Sequence, residues 1–338
     1  NQAGVSRVRV DRLLVIHPTN STTKLSSLFD ALRIGRELLP SKEARGSKSW
    51  LITAQDPFET GFVGWLLGVR RGIALELQIH TDILSPFFKK ESAKNMLRTY
   101  IARFLLPRAK GVRAVSNRVA NSVIKMLGRV PPVLPVFVDA AALRASPPKM
   151  DLHKKFPQFD FLVLAVSRLT KEKDIGTALR AIGEIAKKYP KTGLLVVGDG
   201  PERKKLESLA QQCGAWQNTV FLGWQNDMAS HYKSADAYIL TSLYEGYGRT
   251  VIEAASLGCP LLISDVGIAG ELFMHNENAL VCPPQDEDCF TQGLLRIRGD
   301  ESVRRALSVR AEQTVNDHAT SREEYLKQQS KMWHALMK

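Results

Sequence analysis

The sequence predicts an α/β protein made of two doubly wound domains, each a parallel sheet with helices on both faces. Short apolar runs alternate with helical patterns along the chain, and several runs are uninterrupted, which is typical of strands covered on both sides. The length of 338 residues fits two domains of roughly 150 residues each. An apolar fraction of 44% and a charged fraction of 24% are ordinary for a globular protein and exclude a disordered chain.

The expected strands fall into two groups. The first group comprises residues 13–16, 50–53, 74–79, 112–115 and 133–138. The second comprises residues 161–166, 194–197, 220–222, 237–241, 260–264 and 279–282. Helical periodicity is clearest over residues 177–189, 201–213 and 321–337. We expect an N-terminal domain over residues 1–138, a C-terminal domain over 139–318 and a final helix over 319–338 that returns to the first domain.

The two halves differ in charge. Residues 1–150 hold 24 basic and 10 acidic side chains, a balance of +14, whereas residues 151–338 hold 23 and 24, a balance of −1. Such asymmetry favours a first domain that faces an anionic partner, such as a phospholipid surface, a phosphorylated substrate or a nucleic acid. The alternative is a basic surface that only confers solubility.

The cysteines and the hydropathy pattern bear on location. Cys213, Cys259, Cys282 and Cys289 form no CxxC pair, so we expect buried free thiols in a reducing compartment. No apolar run approaches the roughly 18–20 residues that span a bilayer, and the first residues show no apolar secretory signal. The sequence therefore predicts a cytoplasmic protein.

The most informative segment joins an expected buried strand, which ends near Ser242, to a helix that begins near Arg249. Gly246 and Gly248 in the connecting loop let the backbone turn sharply and approach a ligand. The helix N-terminus offers free N–H groups and a positive dipole end, which suit phosphate. Because doubly wound folds bind ligands at the carboxyl edge of the sheet, this loop is a candidate phosphate site.

Glu245 and Glu253 flank the start of that helix and can face one crevice. Ionised carboxylates accept hydrogen bonds from hydroxyl groups. Phosphate at the helix and hydroxyls at the carboxylates together describe a nucleotide sugar. Taken singly, Glu245 could be a solvated loop residue or a helix cap, and Glu253 a carboxylate favoured by the helix dipole.

Two further segments follow expected strands at the same edge. Arg168 and Lys173 come after the strand at 161–166, and two cations there could neutralise a departing diphosphate. The alternative is a solvated basic loop. The run from Gly198 through Gly200 to Pro201 predicts mainly a turn.

These motifs together resemble the retaining glycosyltransferases of the GT-B fold, specifically glycosyltransferase family four. Glu245 and Glu253 match the Glu-x(7)-Glu motif of that family. Residues 168–173 match its Gly-Arg-Leu-x-x-Glu-Lys motif, with Ser167 in place of the glycine. Residues 198–201 match its Gly-x-Gly-Pro turn, and residues 221–223 its Phe-x-Gly strand. The resemblance covers roughly residues 133–338 and is weaker in the first half, where it includes residues 53–60 and 79–82.

The resemblance implies a role for each matched residue. Arg168 and Lys173 would hold the leaving diphosphate, Glu253 the ribose, and Glu245 the transferred sugar. His80 would reach that sugar from the first domain, although a strand-end histidine with a backbone partner is the alternative. The remaining donor-binding positions implied are Gly200, Gly246, Tyr247, Gly248, Arg249 and Thr250. The resemblance implies no metal and no cofactor, and residues 286–288 fit the solvated acidic start of a helix.

One departure concerns the first domain. Family members open with a strand and a glycine-rich loop, whereas the strand at 13–16 is followed by His17-Pro18-Thr19-Asn20. The first domain therefore looks about one βαβ unit short. Two functions stay open: transfer of a hexose from a UDP- or GDP-linked sugar to a hydroxyl with retention, or binding of a sugar nucleotide with little turnover. A nucleic-acid module lacks a recognition element, and a sugar epimerase fits the paired glutamates less well.

The segment over residues 87–106 mixes bulky apolar groups with cations. Helical spacing places Leu97, Ile101, Phe104 and Leu105 on one face. Basic amphipathic helices lie in membrane interfaces and favour anionic lipid. We therefore expect peripheral attachment to the inner face of the cell membrane and a lipid-linked or glycan acceptor; the alternative is that this face belongs to the core.

Overall fold

The computed structural model describes residues 5–10, 13–18, 24–39 and 50–337. Its strands are β1 (Val5–Val10), β2 (Leu13–Pro18), β3 (Leu51–Ala54), β4 (Ala74–Ile79), β5 (Gly111–Ala114), β6 (Phe161–Val166), β7 (Thr192–Val197), β8 (Thr219–Gly223), β9 (Ala237–Leu240), β10 (Leu261–Ser264) and β11 (Leu280–Cys282).

Most helices in these ranges alternate with the parallel strands; the exceptions are the consecutive helices between β4 and β5, the short helices at the domain junction and the three helices after β11. They are α1 (Lys24–Leu38), α2 (Glu59–Arg71), α3 (Pro86–Glu91), α4 (Ala93–Leu105), α5 (Asn117–Leu127), α6 (Ala140–Ala145), α7 (Leu152–Lys155), α8 (Ile175–Lys188), α9 (Arg203–Gln212), α10 (Met228–Ser234), α11 (Arg249–Ser256), α12 (Glu287–Gly299), α13 (Glu301–Asp317) and α14 (Arg322–Met337).

The C-terminal sheet is parallel throughout, in the order β11-β10-β9-β6-β7-β8. Read from β8, this is the 3-2-1-4-5-6 order of the doubly wound dinucleotide-binding fold. Alternate residues of β6 enter two separate cores: Phe161 and Val163 pack in one, Leu162 and Leu164 in the other. The six strands expected in this half are present, with ends shifted by no more than two residues.

The N-terminal sheet is smaller, with three parallel strands in the order β3-β4-β5 among the described residues. On one face, Leu75, Leu77 and Ile79 pack with Leu105 and other apolar side chains. The carboxyl ends of these strands face those of the C-terminal sheet. The architecture is the GT-B fold, two Rossmann-like domains around a cleft, with a short first sheet.

The opposite face of the N-terminal sheet is polar and is covered by α14. Glu76 and Arg113 are buried there. Trp333 Nε1 donates to Glu76 Oε2 at 2.9 Å. Leu336 packs so closely on Gly111 that a β-carbon at that glycine would lie 2.3 Å from its Cδ1. The last helix is thereby fixed to the N-terminal sheet by both a hydrogen bond and close packing.

In the first half, one strand prediction was wrong, and a second strand is present but pairs differently from what the expected parallel sheet requires. Residues 133–138 form no strand; Val133 makes one isolated parallel bridge to Ala114. Pro131, Pro132 and Pro135 lack the N–H groups that a ladder needs. The strand expected at 13–16 exists as β2, but it pairs antiparallel with β1, which the sequence had not indicated, and not with the parallel sheet.

The expectation of four free thiols was also wrong. Cys282 ends β11 and Cys289 lies in the first turns of α12, and the two form a disulfide with a Cα–Cα distance of 5.7 Å. The turn between strand and helix brings these cysteines within bonding reach. Cys213 and Cys259 are free, and Cys259 is buried.

Two features are absent from the described ranges. No helix there has the length and apolar character needed to cross a bilayer. No cluster of three or more His, Cys, Asp or Glu side chains in the same ranges is arranged to hold a metal ion.

The close packing of α8 predicts that a methyl group added to a glycine of this helix destabilises the protein, whereas one added at an open glycine does not. A β-carbon at Gly183 would lie 2.2 Å from the carbonyl oxygen of Cys213. We expect Gly183→Ala to lower the free energy of unfolding by about 1–3 kcal/mol, as overpacking does. Gly299→Ala, whose β-carbon meets only the Tyr189 hydroxyl at 4.0 Å, is the control and should not destabilise. Thermal melting compares them, and equal melting temperatures would contradict the packing argument.

Candidate functional site

Lys173 and Glu245 meet at the mouth of the C-terminal sheet. Lys173 lies in a 3₁₀ turn after β6, and Glu245 lies in the loop after β9, the neighbouring strand. The lysine Nζ is 2.5 Å from Glu245 Oε1, which also accepts from Ser242 Oγ at 2.8 Å. Both side chains are more than four-fifths buried. The site therefore holds a shielded cation and anion in contact.

Arg168 stands outside this pair. Its side chain is 73% exposed and contacts Glu172 Oε1 at 3.3 Å. That same oxygen also accepts a hydrogen bond from Thr170 Oγ1 at 2.7 Å, which holds the carboxylate in place. Arg168 and Lys173 thus have separate carboxylate partners, and the exposed arginine is free to swing toward an anion at the cleft.

The N-terminus of α11 opens into the same region. Gly248 precedes the helix with φ of 96°, in the left-handed range that favours glycine. Glu253 is buried within α11; its Oε2 accepts from the buried Tyr232 hydroxyl at 3.0 Å and its Oε1 from Arg249 Nε at 2.8 Å. Arg249 itself is 64% exposed. The Tyr232 hydroxyl therefore fixes the Glu253 carboxylate, whereas the exposed side chain of Arg249 can change its conformation.

Other residues proposed from sequence have mainly structural contacts. Thr250 Oγ1 accepts from the buried Tyr238 hydroxyl at 2.7 Å, which fixes its side chain. The Tyr247 carbonyl accepts from Ile268 N at 3.1 Å. Gly200 lies against Leu169, whose carbonyl oxygen would be 2.4 Å from a β-carbon at that glycine. These positions shape the loops around the site.

The loop that carries Glu245 is pressed against the N-terminal domain. A β-carbon at Gly246 would lie 2.0 Å from the His80 carbonyl oxygen, so only glycine fits there. Ser116 Oγ donates to the Gly246 carbonyl at 2.7 Å. His80 and Glu245 are consequently brought close in space, although 165 residues separate them in the chain.

Sequence reasoning missed the contacts that fasten the two domains. Tyr244 donates its hydroxyl to Glu91 and packs edge-on against Phe88 at 5.4 Å between ring centroids. Arg118, in α5, forms an ion pair with Asp265. No sequence signal marks these partners, because each pair joins surface residues of two different domains.

A cavity of about 190 Å³ lies between the domains. Its wall includes Asp82, Phe87 and Arg118 from the N-terminal domain, and Glu245 and Asp265 from the C-terminal domain. Carboxylates, a guanidinium and the aromatic rings of Phe87 and Tyr244 suit a ligand that is rich in hydroxyl groups.

Burial shifts the titration of several groups at the cleft. It lowers the pKa of His80, and the positive charge of Arg113 lowers it further, while Asp56 opposes the shift. Burial raises the pKa of Asp82 above its ordinary value of 3.8. It likewise raises the pKa of Tyr247 to about 12, with Glu271 adding to the effect. The histidine therefore favours its neutral form at neutral pH.

The comparisons with known proteins agree with this geometry. Residues 150–314 match the family model described as "Glycosyl transferases group 1". A lipopolysaccharide core biosynthesis glycosyltransferase, LpsD from Rhizobium meliloti, is 28% identical over 180 residues, which are 53% of this chain and 51% of LpsD. The chain spans about half the length of the curated relatives it matches.

Two solved structures share the fold over most of the chain. Sucrose-phosphate synthase from Thermosynechococcus elongatus superposes with a TM-score of 0.77 at 23% identity, over 93% of this chain and 79% of that one. HepE from Anabaena, solved with UDP-glucose, superposes with a TM-score of 0.74 at 21% identity, over 92% and 81%. At these identities the superpositions establish the fold. Together these superpositions identify the chain as a GT-B protein, whose residues 150–314 match the group 1 glycosyltransferase family model.

Proposed function

We propose that the protein is a retaining glycosyltransferase, which moves a hexose from a UDP- or GDP-linked sugar to an acceptor hydroxyl without a metal ion. The observation that carries the proposal is the buried Lys173–Glu245 pair beside the N-terminus of α11. A nucleotide sugar presents a diphosphate and hydroxyl groups, and this pair offers one partner for each. The donor would replace the mutual contact of the two side chains with contacts to itself.

The proposed chemistry breaks the bond between the anomeric carbon and the diphosphate oxygen. The acceptor oxygen bonds to that carbon on the same face, and its proton passes to the leaving phosphate. Lys173 and Arg168 stabilise the negative charge that develops on the diphosphate, the type of stabilisation that usually contributes most to a rate. Glu245 and His80 hold the transferred sugar, and Glu253 holds the ribose hydroxyls.

The cavity between the domains supports a place for the sugars. Glu245 lines it, so the transferred hexose would lie against that wall. Asp82, Arg118 and Asp265 would then face hydroxyl groups of the hexose or of the acceptor.

A second function, binding of a sugar nucleotide with little turnover, is favoured by one observation. The N-terminal sheet has only three parallel strands among the described residues, so less surface is available to hold an acceptor. Release of nucleotide from UDP- and GDP-sugars in the presence of acceptors separates the two functions.

Helix α4 supports an acceptor at a membrane surface. The stripe expected from the sequence is split: Leu105 is fully buried, whereas Leu97 and Phe104 are 58% and 39% exposed. Beside Leu105, the buried side also carries Asn95 and Thr99, which are satisfied by hydrogen bonds to Glu91 and to backbone carbonyls. The apolar side chains that face solvent on this helix are Met96, Leu97, Tyr100 and Phe104.

Cations border this exposed surface of α4. Arg108 lies over the Phe104 ring at 3.9 Å, and Arg103 lies 5.9 Å from the Tyr100 ring. Each cation near an anionic membrane surface contributes about 1 kcal/mol. We infer that the surface rests on the anionic inner leaflet, which would place the enzyme in the cytoplasm with a lipid-linked acceptor, in keeping with lipopolysaccharide core biosynthesis as the assigned role of LpsD.

The proposed role of Lys173 predicts a large loss of activity. Lys173→Met removes the cation from the diphosphate site, and we expect kcat/KM for the active UDP- or GDP-sugar to fall by about 10²–10³-fold. Lys171→Met, an exposed lysine of the same 3₁₀ turn, is the matched control and should keep its activity. Initial rates of nucleotide release measure both. Equal activity of the two variants would refute the assignment of Lys173.

The surface of α4 predicts binding to anionic vesicles at low salt. Vesicles of phosphatidylglycerol and phosphatidylcholine should carry the protein upward in a flotation gradient. The double variant Leu97→Ser, Phe104→Ser should reduce the bound fraction at least about fivefold, since two apolar groups leave the interface. Val309→Ser, at an exposed valine on α13, is the control. Failure of the wild-type protein to float would remove the membrane proposal.

The raised pKa of Asp82 predicts that replacing it with an uncharged residue stabilises the protein at neutral pH but not at acid pH. Because burial raises its pKa, the folded protein binds more protons than the unfolded chain as pH rises through this range, and stability falls. Asp82→Asn should therefore melt at the same or a higher temperature than the wild type at pH 7. The difference should vanish below about pH 3.8, where both side chains are neutral. A lower melting temperature only at pH 7 would contradict this sign.

A further inference from the structure

His80 has a hydrogen-bond partner on its own strand that fixes the position of its proton. Its Nε2 lies 3.1 Å from the Oε1 atom of Gln78, two residues earlier. Alternate residues of a strand share a face, so the two side chains lie on the polar side of the N-terminal sheet. Which ring nitrogen carries the proton depends on whether that Gln78 atom is an oxygen or a nitrogen.

The surroundings of Gln78 settle the orientation of its amide. Its Nε2 is 2.9 Å from Thr53 Oγ1, which has donated its own hydrogen to Glu76 and can accept. Its Oε1 accepts from the Arg113 guanidinium. A flipped amide would set an NH₂ group against that guanidinium, which has only donors. The oxygen therefore faces both Arg113 and His80.

An accepting oxygen beside Nε2 requires the proton of His80 on Nε2. Burial and Arg113 both lower the pKa of the imidazole, so the neutral ring has its lone pair on Nδ1. That atom has no hydrogen-bond partner in the described part of the chain, yet it is absent from the buried polar atoms that lack one. Nδ1 is therefore accessible to solvent at the cleft.

We propose that Gln78 and Arg113 are positioning residues that hold His80 as the Nε2–H tautomer, so that His80 accepts a hydrogen bond at Nδ1 from a hydroxyl of the bound sugar. The second half of this statement rests on the proposed function. A hexose must then present an O–H donor to His80, and a deoxy or fluoro substituent at that position cannot supply one.

The hydrogen bonds around Gln78 continue to the last helix, α14, and these further contacts make the network rigid. Glu76 Oε2 accepts from Trp333 Nε1 at 2.9 Å and from Thr53. Arg113 also contacts the Leu134 carbonyl and the Tyr325 hydroxyl, at 3.3 and 3.4 Å. The groups around Gln78 are thus held from three strands and from α14.

Nitrogen-15 NMR of the histidine-labelled full chain tests the tautomer without turnover. His80→Gln assigns the signals of this ring by their disappearance. At pH 7 we expect a protonated Nε2 and an unprotonated Nδ1. A proton on Nδ1, or an imidazolium, would overturn the proposal.

Gln78→Met tests the cause. It removes the acceptor at nearly constant volume, so we expect both tautomers to appear and kcat/KM to fall about tenfold, and we expect the acid limb of the pH–rate profile to move. Arg113→Met should raise the pH at which the ring protonates, since it removes a nearby positive charge. These NMR readouts apply to any variant whose melting curve shows a folded protein, and an unchanged tautomer in a folded Gln78→Met would refute the role of Gln78.

A titration with UDP- and GDP-hexoses tests the contact with the sugar. The binding hexose should shift the Nδ1 signal while Nε2 stays protonated, and UDP or GDP alone should not. If a hexose nucleotide binds by thermal shift without moving Nδ1, the contact is refuted. If none of them binds, the proposed function fails, and the tautomer result stands apart from it.

Discussion

The close contact between the Gly246 backbone and the N-terminal domain determines the arrangement of the site. The loop after β9 must carry Glu245 to Lys173 in its own domain and also meet His80 and Ser116 in the other. Only a residue without a β-carbon permits the second contact. Because Gly246 has no side chain, the Glu245 carboxylate, the Lys173 ammonium group and His80 come together in a single cleft.

The two sheets differ in the kind of side chain that their faces bury. The C-terminal sheet buries both faces in apolar cores, which makes a stiff support for the loops at its carboxyl edge. The N-terminal sheet buries one apolar face and one polar face, and apart from Arg113 Nε the polar groups around Gln78 are hydrogen-bonded to one another or to α14. Buried polar groups without partners would cost about 1–3 kcal/mol each, so the docking of α14 and the polar network support each other.

Helix α4 departs in part from the usual pattern of an amphipathic helix, although Ala102 and Leu105 are buried. Asn95 and Thr99 lie inside with hydrogen-bond partners, and bulky apolar side chains lie outside beside cations. Glu91 also links this region to the loop after β9, since it accepts from both Asn95 and Tyr244. The buried side of α4 is therefore connected through Glu91 to the residue next to Glu245.

The sequence by itself determined the C-terminal domain. Strands that are buried on both faces must be uninterrupted apolar runs, and such runs, together with glycine turns, are visible locally in the sequence. It also identified Glu245, Glu253, Arg168 and Lys173 as candidate site residues, because they follow expected strands that end at the same edge of the sheet. It failed at the proline-rich 133–138 stretch, the β1–β2 pairing and the Cys282–Cys289 bond, where no motif in the sequence marks which backbone or side-chain groups become partners. Only the tertiary structure decided that Lys173 pairs with Glu245 and that Gln78 orients His80, because each contact depends on which strands become neighbours and on which face every side chain lies.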